Sequence, residues 1–173
     1  MPQRYGARVT VRLLEPGGAV AGRRQARNAV LQGGAQLVAD LFRGAEGGGA
    51  INMMSVGADP APEVPPFTTT ELAASSDSTG ELTGPRDAAV DAAAFSVTVE
   101  EPNRRVRVSA RVLLPAGDDS ALAGPVAEAA LLHTAPDGTR RLYNRVTFEP
   151  IEKRTDQELS LYWEIFFPFG DPD

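Results

Sequence analysis

The stretch Leu159–Phe167, which reads LSLYWEIFF, is the part of the sequence that most clearly determines the fold. Its apolar side chains recur at every second position, as in a β-strand with one buried face. Because burying one aromatic or leucine side chain contributes about 1.5–3 kcal/mol, we expect this strand to anchor the core. On the opposite parity, Tyr162 and Phe166 leave the outer face partly apolar and predict a covering partner. The residues predicted to face the core are Leu159, Leu161, Trp163, Ile165 and Phe167.

A β-hairpin is predicted immediately before this strand. Val126–Thr134 and Arg141–Phe148 flank a turn that contains Asp137 and Gly138. The Asp-Gly pair favours a tight hairpin turn because glycine tolerates positive φ. If these two residues form the turn, Ala129 faces Val146 and Ala127 faces Phe148. The apolar face of this hairpin is then predicted to contain Leu131, Leu142, Val146 and Phe148.

The same register places a charged pair on the other face of the hairpin. Glu128 and Arg145 become diagonal neighbours, close enough to form an ion pair. We expect these two residues, with Phe148 and Trp163, to be scaffold residues that hold the fold together.

The first part of the chain predicts one strand and one helix. Alternating side chains over Tyr5–Leu13 are typical of a half-buried strand. An apolar face recurs at helical spacing over about Asn28–Arg43, and Asn28 is a suitable N-cap. Gly33 and Gly34 weaken a helix by about 1 kcal/mol each relative to alanine. We infer that they allow another backbone to approach closely.

A long irregular segment, residues 58–90, follows. Its closely spaced prolines forbid a central strand or a regular helix. Loops of this length are usually functional or disordered, and a mobile surface loop is the alternative. A second hairpin, formed by Phe95–Val99 and Val106–Val112, is predicted after it. The candidate contact surface consists of Pro60, Pro62, Pro65 and Pro66 in this segment, with Tyr162 and Phe166 on the last strand.

These elements predict a single domain over residues 1–173 with a mainly β fold. The expected architecture is an antiparallel β-sandwich or a jelly-roll-like barrel with one α-helix at about residues 28–43. About six or seven strands are expected. A length of 173 residues and a hydrophobic fraction of 42% are ordinary for one globular domain.

Composition argues against several functional classes. The net charge is -6, whereas nucleic-acid-binding proteins usually have a basic excess. We interpret the short basic clusters Arg23–Arg24, Arg104–Arg105 and Arg140–Arg141 as solvated turns. No apolar run approaches the ~18 residues of a membrane span, and Met1–Val9 lacks the apolar core of a secretory signal. We therefore expect cytoplasmic assembly, without nucleic-acid binding or membrane insertion.

The sequence contains no convincing reaction centre. With no cysteine, it offers neither a disulfide framework nor a thiolate metal site. His133, the only histidine, is expected to be a partly buried structural residue beside Leu131. The paired acids Glu100–Glu101 and Asp118–Asp119 lie by predicted turns, where acids are usually solvated. We expect no catalytic residue, no cofactor, no metal and no small-molecule substrate.

Two stretches carry motifs in a defined order. The first contains Asn28, Gly33 and Val38–Ala39, then Ile51–Val56, the loop Gly57–Pro62 and Thr70–Leu72. The second contains Val126–Leu132, Gly138–Arg145, Phe148, Pro150–Ile151, Lys153 and the closing strand Leu159–Phe167. In this order they resemble a β-rich domain that recurs in tailed-phage tail and fibre-associated proteins and in phage-tail-like contractile injection particles. Within this pattern, Ala130 stands where the family usually has glycine, and residues 73–105 match nothing specific.

The resemblance implies structural work. It predicts a fibre, baseplate, collar or cap component that assembles with itself and with other particle proteins. It implies no catalytic residues, and it implies a mature location in a virion or a phage-tail-like particle.

Two other functions stay open from the residues. A stand-alone carbohydrate- or ligand-binding β-sandwich would display aromatic side chains on a groove, but only 6% of residues are aromatic and most occupy predicted core positions. A carboxylate hydrolase would depend on two acids at a suitable separation. Its candidate residues are Glu100, Glu101, Asp118 and Asp119.

Overall fold

The computed structural model of the chain describes residues 6–45 and 48–170. The protein is mainly β, with 52% strand and 10% helix, and a curled antiparallel sheet forms a half-barrel. This confirms the predicted β-rich fold with one α-helix. The described strands are β1 Gly6–Leu14, β2 Val20–Val30, β3 Met53–Gly57, β4 Ser75–Ser76, β5 Gly80–Glu81, β6 Asp87–Ala89, β7 Phe95–Glu100, β8 Arg105–Leu114, β9 Gly124–Thr134, β10 Arg140–Leu142, β11 Asn144–Lys153 and β12 Glu158–Pro168; the helix α1 is Gln32–Phe42.

One ten-stranded antiparallel sheet forms the wall of the half-barrel. Its strand order is β6-β3-β9-β11-β2-β1-β12-β8-β7, and β10 pairs with β9 beside this path. The short strands β4 and β5 form a separate two-stranded sheet. Because β1 pairs with β12, the first and last described strands are neighbours in the sheet. The first residue of the predicted N-terminal strand, Tyr5, lies outside the described residues.

The hydrophobic core covers the inner side of the curled sheet, and β12 contributes much of it. Leu159 and Leu161 are 0% exposed and Trp163 is 1% exposed, whereas Phe167 at the strand end is half-buried. The indole N–H of Trp163 donates a hydrogen bond to the sulfur of Met54 on β3 at 3.3 Å. The strand period therefore places four of the five predicted side chains in the core.

The helix begins at Gln32, and the prediction that it begins at Asn28 is wrong. Asn28 belongs to β2 and pairs with Val146 of β11. The backbone of this segment is engaged in the sheet and cannot start a helix. Leu31 occupies the N-cap position, and its side chain makes no capping hydrogen bond.

Gly34 allows α1 to lie directly against the sheet. A Cβ atom added there would lie 2.6 Å from the carbonyl carbon of Tyr143 and closer still to its oxygen. At Gly33 the nearest atom would be the carbonyl oxygen of Leu142, at 3.4 Å. The inferred close approach of a backbone is therefore confirmed at Gly34, while the space at Gly33 is close to ordinary contact.

The predicted hairpin register is correct in its middle and shifted near its turn. Ala129 pairs with Val146 as predicted, but Leu142 pairs with Leu132 because the ladder is interrupted at Tyr143. A shift of one residue moves side chains to the opposite face of a sheet. Leu142 therefore does not share a face with Leu131, and the prediction for it is wrong. It joins a second apolar cluster with Leu31, Leu72, Ala130 and Leu132.

A second register change affects the other end of this hairpin. The pairing of β9 with β11 shifts between Thr147 and Ile151, so the predicted pair of Ala127 with Phe148 is absent from the described ladder. Phe148 nevertheless lies in the main core, at 7% exposure.

The predicted hairpin of β7 and β8 forms, and β7 is an edge of the sheet. Val97 and Val99 are 68% and 57% exposed. Their strand has no neighbour on its outer side in the described chain, which leaves backbone hydrogen-bonding groups unpaired there.

Candidate functional site

Arg145 is the centre of a buried ion-pair network, which we call the loop clamp. Its Nε atom lies 2.6 Å from Glu128 Oε2, so the predicted pair forms. One terminal nitrogen lies 3.1 Å from Glu63 Oε2, and the other lies 3.4 Å from Asp59 Oδ2. The side chains of Arg145, Glu128 and Glu63 are 6%, 1% and 7% exposed. The loop clamp therefore joins the β9–β11 hairpin to the proline-rich segment.

Glu128 also fixes the base of that segment. Its Oε1 atom accepts a hydrogen bond from the amide of Ala73 at 2.7 Å, and the amide of Ala58 donates to the carbonyl of Ala73 at 2.8 Å. Burial raises the pKa of Glu128, and the adjacent guanidinium of Arg145 opposes this shift. A glycine at position 57 is required, because a Cβ atom there would lie 2.8 Å from the Ala73 carbonyl oxygen and the Glu128 carboxyl carbon.

The outer side of the proline-rich loop that the loop clamp holds is exposed and apolar. Pro62, Pro65 and Pro66 are exposed, whereas Pro60 is half-buried. Val64 is 64% exposed and Phe67 is 37% exposed. The segment 58–90, predicted to be irregular throughout, also contains the short strands β4, β5 and β6.

Tyr162 and Phe166 lie on the outer face of β12 and are half-buried. Arginine side chains surround Phe166: the guanidinium carbon of Arg105 lies 4.0 Å from the ring centroid, and that of Arg8 lies 5.8 Å away. The partly apolar face predicted from the sequence is therefore mainly a cationic one.

Seven arginines share the outer face of β2, β1 and β8 around β12, and we call this surface the arginine face. Direct strand pairing places Arg8 opposite Arg27 and Arg12 opposite Arg23. The interpretation of Arg23–Arg24 as a solvated turn is wrong, because both residues lie within β2. The members of the arginine face are Arg8, Arg12, Arg23, Arg27, Arg105, Arg107 and Arg111.

The other two basic clusters also differ from the prediction. Arg104 follows a short 3-10 turn, but Arg105 begins β8. Arg140 and Arg141 lie in β10, where Arg140 pairs with Asp87 and Arg141 pairs with Asp40. Sequence reasoning missed these placements because β2 and β10 contain few large apolar residues.

Two glutamates partly neutralise the arginine face. Glu164 forms ion pairs with Arg8 and Arg107, and these partners lower its pKa. Glu100 lies 2.5 Å from Arg105 and 3.4 Å from Arg107. Among the residues that the structure describes, the other four arginines form no ion pair: Arg12, Arg23, Arg27 and Arg111.

Two of the four candidate hydrolytic acids, Glu100 and Asp118, have ordinary structural partners. The side chain of Glu100 is held by Arg105, which lowers its pKa. Asp118 accepts hydrogen bonds from the amide and hydroxyl of Ser120 at 2.9 and 2.6 Å, and its pKa is lowered by them. His133 is half-buried, and its Nδ1 atom lies 2.7 Å from the carbonyl oxygen of Ala50.

Residues 6–45 and 48–170 contain neither a metal-binding cluster nor a membrane-spanning helix. No group of three or more histidine, cysteine, aspartate or glutamate side chains there could hold a metal ion. The described helix is also too short and insufficiently apolar to span a membrane.

No protein-family model matches the chain, and no curated protein or solved structure shows significant similarity to it. The resemblance to phage-tail domains thus stays a prediction from the quoted motifs. The described residues offer three candidate contact surfaces: the exposed side of the clamped loop, the arginine face and the edge strand β7.

Proposed function

We propose that the protein is a structural or adaptor component of a phage tail or a phage-tail-like contractile injection particle. It acts by contacting copies of itself and neighbouring particle proteins. The proposal combines the motif order of the sequence with one structural observation, the loop clamp.

The loop clamp supports this function because it gives a surface loop a fixed shape. Burying charged groups is costly, and a buried ion pair is not in itself a source of stability. Here Arg145, Glu128 and Glu63 lie under a loop whose outer side chains are exposed. Fixing a binding loop in advance reduces the entropy cost of association. A rigid loop with exposed Val64 and prolines is therefore suited to a protein–protein contact.

The edge strand β7 supports self-association. An unpaired edge can pair with a strand of another chain, and natural proteins usually protect such edges. The exposed Val97 and Val99 give this edge an apolar surface as well.

The alternative of a carbohydrate- or ligand-binding module has less support. Sugar binding by stacking needs an open aromatic face. The ring of Phe166 is covered by Arg105 at 4.0 Å. The alternative would be favoured if the isolated wild-type protein bound a glycan on an array and Tyr162→Ala abolished that binding.

The proposal is tested by measuring binding of the purified protein to itself and to the tube, sheath and baseplate proteins of a phage tail or contractile injection particle. Val64→Ser should weaken at least one of these contacts without lowering thermal stability, because this side chain is 64% exposed. Val20→Ser is the matched control, since Val20 is 56% exposed on another surface. A wild-type protein that stays monomeric and binds none of these proteins would contradict the proposal.

A further inference from the structure

The arginine face carries a net charge opposite in sign to that of the whole chain. Seven arginines against Glu100, Glu158 and Glu164 give the outer face of its strands a net charge of +4. The whole chain carries -6, so the remainder carries -10. A surface of one sign on a chain of the opposite sign is typical of a binding surface.

The arrangement of these arginines is unfavourable in the isolated chain. Like charges directly opposite each other on neighbouring strands are destabilising, and Arg12 faces Arg23 in this way. Arg12, Arg23 and Arg111 surround a shallow depression whose other walls include Ser160 and Tyr162. None of these three arginines forms an ion pair with a described carboxylate. An anionic group from another molecule would relieve their mutual repulsion.

Arginine also indicates the chemistry of the partner. Its planar guanidinium forms two parallel hydrogen bonds with a carboxylate, and it is more easily desolvated than the ammonium of lysine. The single lysine of the chain, Lys153, is buried away from this surface. The arginine face is therefore suited to a protein surface rich in aspartate and glutamate.

The chain itself carries such a surface, which we call the acidic end. The hairpin of β4 and β5 lies beside the segment before β9: Thr83 bridges Ala123, and Gly84 packs on the backbone of Ser120 and Ala121. Glu152 is paired with Pro125 on the adjoining strand. Five exposed acids lie in this region, and none forms an ion pair with a described residue: Asp77, Glu81, Asp118, Asp119 and Glu152.

We propose that the arginine face of one copy docks onto the acidic end of a second copy. This inference rests on the proposed function and names the partner of one of its contact surfaces. Because the two surfaces are different, the contact is head-to-tail, and repetition closes into a ring when the rotation between copies permits it. The acidic remainder of the chain opposes binding of a nucleic acid, which would be repelled by it.

The test combines charge reversal with charge exchange. The variant Arg12→Glu/Arg23→Glu/Arg111→Glu should associate with itself at least about tenfold more weakly than the wild type, as expected from the coupling energies of close charge pairs at interfaces. The variant Arg12→Lys/Arg23→Lys/Arg111→Lys is the matched control and should retain most of the association. Mixing the charge-reversed variant with Glu81→Arg/Asp118→Arg/Asp119→Arg should restore assembly between the two variants. Circular dichroism and thermal melting verify that each variant folds.

The outcomes separate this inference from the proposed function. If the wild type assembles and the glutamate variant assembles equally well, the arginine-face contact is overturned, whereas the proposed function is still supported. The wild type could instead stay monomeric and bind another particle protein through its arginine face, or bind single- or double-stranded DNA in a gel-shift assay. Either result would show that a second copy is not the partner of this face. Loss of assembly in the glutamate variant, with recovery on mixing, supports the inference.

Discussion

At the scale of single residues, Arg145 is the side chain on which the contact loop depends most. It neutralises Glu128 and Glu63, and all three side chains are almost completely buried. Removing one partner of a buried ion pair leaves an uncompensated charge and typically costs about 3–5 kcal/mol. We expect Arg145→Met to lower the free energy of unfolding by about this amount in urea denaturation.

Two comparisons make this prediction specific. Arg43→Met removes an ion pair to Asp40 from a side chain that is 71% exposed, so it should cost only about 0–1 kcal/mol. The double variant Glu128→Gln/Arg145→Met should be more stable than Arg145→Met, because one uncompensated carboxylate is removed. An Arg145→Met protein as stable as the wild type would contradict the role assigned to the clamp.

Glu164 predicts part of the pH dependence of stability. The hydrogen bond and charge of Arg8, with those of Arg107, hold the pKa of this carboxyl below its ordinary value of 4.5. A carboxyl whose pKa is lower in the folded state stabilises the fold above the ordinary pKa, and this contribution is lost as the pH falls through the folded pKa. The urea concentration at the midpoint of unfolding should therefore decrease as the pH is lowered below about 4.5. This decrease should be less steep in Glu164→Gln. Equal slopes for the two proteins would refute the assignment.

At the scale of secondary-structure elements, the seating of α1 can be tested with two adjacent glycines. Gly34→Ala forces a Cβ atom into the backbone of Tyr143 and should cost about 1–3 kcal/mol by overpacking. Gly33→Ala meets an atom at 3.4 Å and gains up to about 1 kcal/mol of helix propensity, so it should be neutral or stabilising. Thermal melting of both variants checks this, and equal destabilisation would show that α1 lies elsewhere.

The elements differ in how far the sequence predicts them. β12 is predictable because large apolar side chains recur at every second position along it, and four of these five pack in the core. β2 is not, because its inward positions include Gly22, Arg24 and Asn28 rather than large apolar residues. The interruption at Tyr143 is also invisible in the pattern, since a one-residue register change depends on pairing with a distant strand.

At the scale of the whole molecule, the candidate site is less predictable than the fold. The Glu128–Arg145 pair followed from hairpin register, but its partners Asp59 and Glu63 come from a proline-rich segment without periodicity. The arginine face joins residues from β1 and β2 to residues of β8, which is far from them in sequence. The arginines occupy the outward-facing positions of these strands. The sequence pattern could therefore have indicated the arginine face only if β2 had been recognised as a strand.

The half-barrel therefore combines an apolar inner side with an outer side divided by charge. The arginine face carries +4 and the remainder of the chain carries -10. Exposed charges interact over about 8 Å at 0.15 M salt and over shorter distances at higher salt. Association through these surfaces should therefore weaken as salt is added, whereas association through the apolar loop or β7 should not.

Sedimentation velocity of the wild-type protein, over a range of concentrations at about 0.15 M salt and again at about 1 M, tests the central claim most directly. We predict species larger than the 18.3 kDa monomer at the lower salt, increasing with concentration and dissociating at the higher salt. A single monomeric species at every concentration and at both salt levels would contradict the account of a self-assembling structural protein.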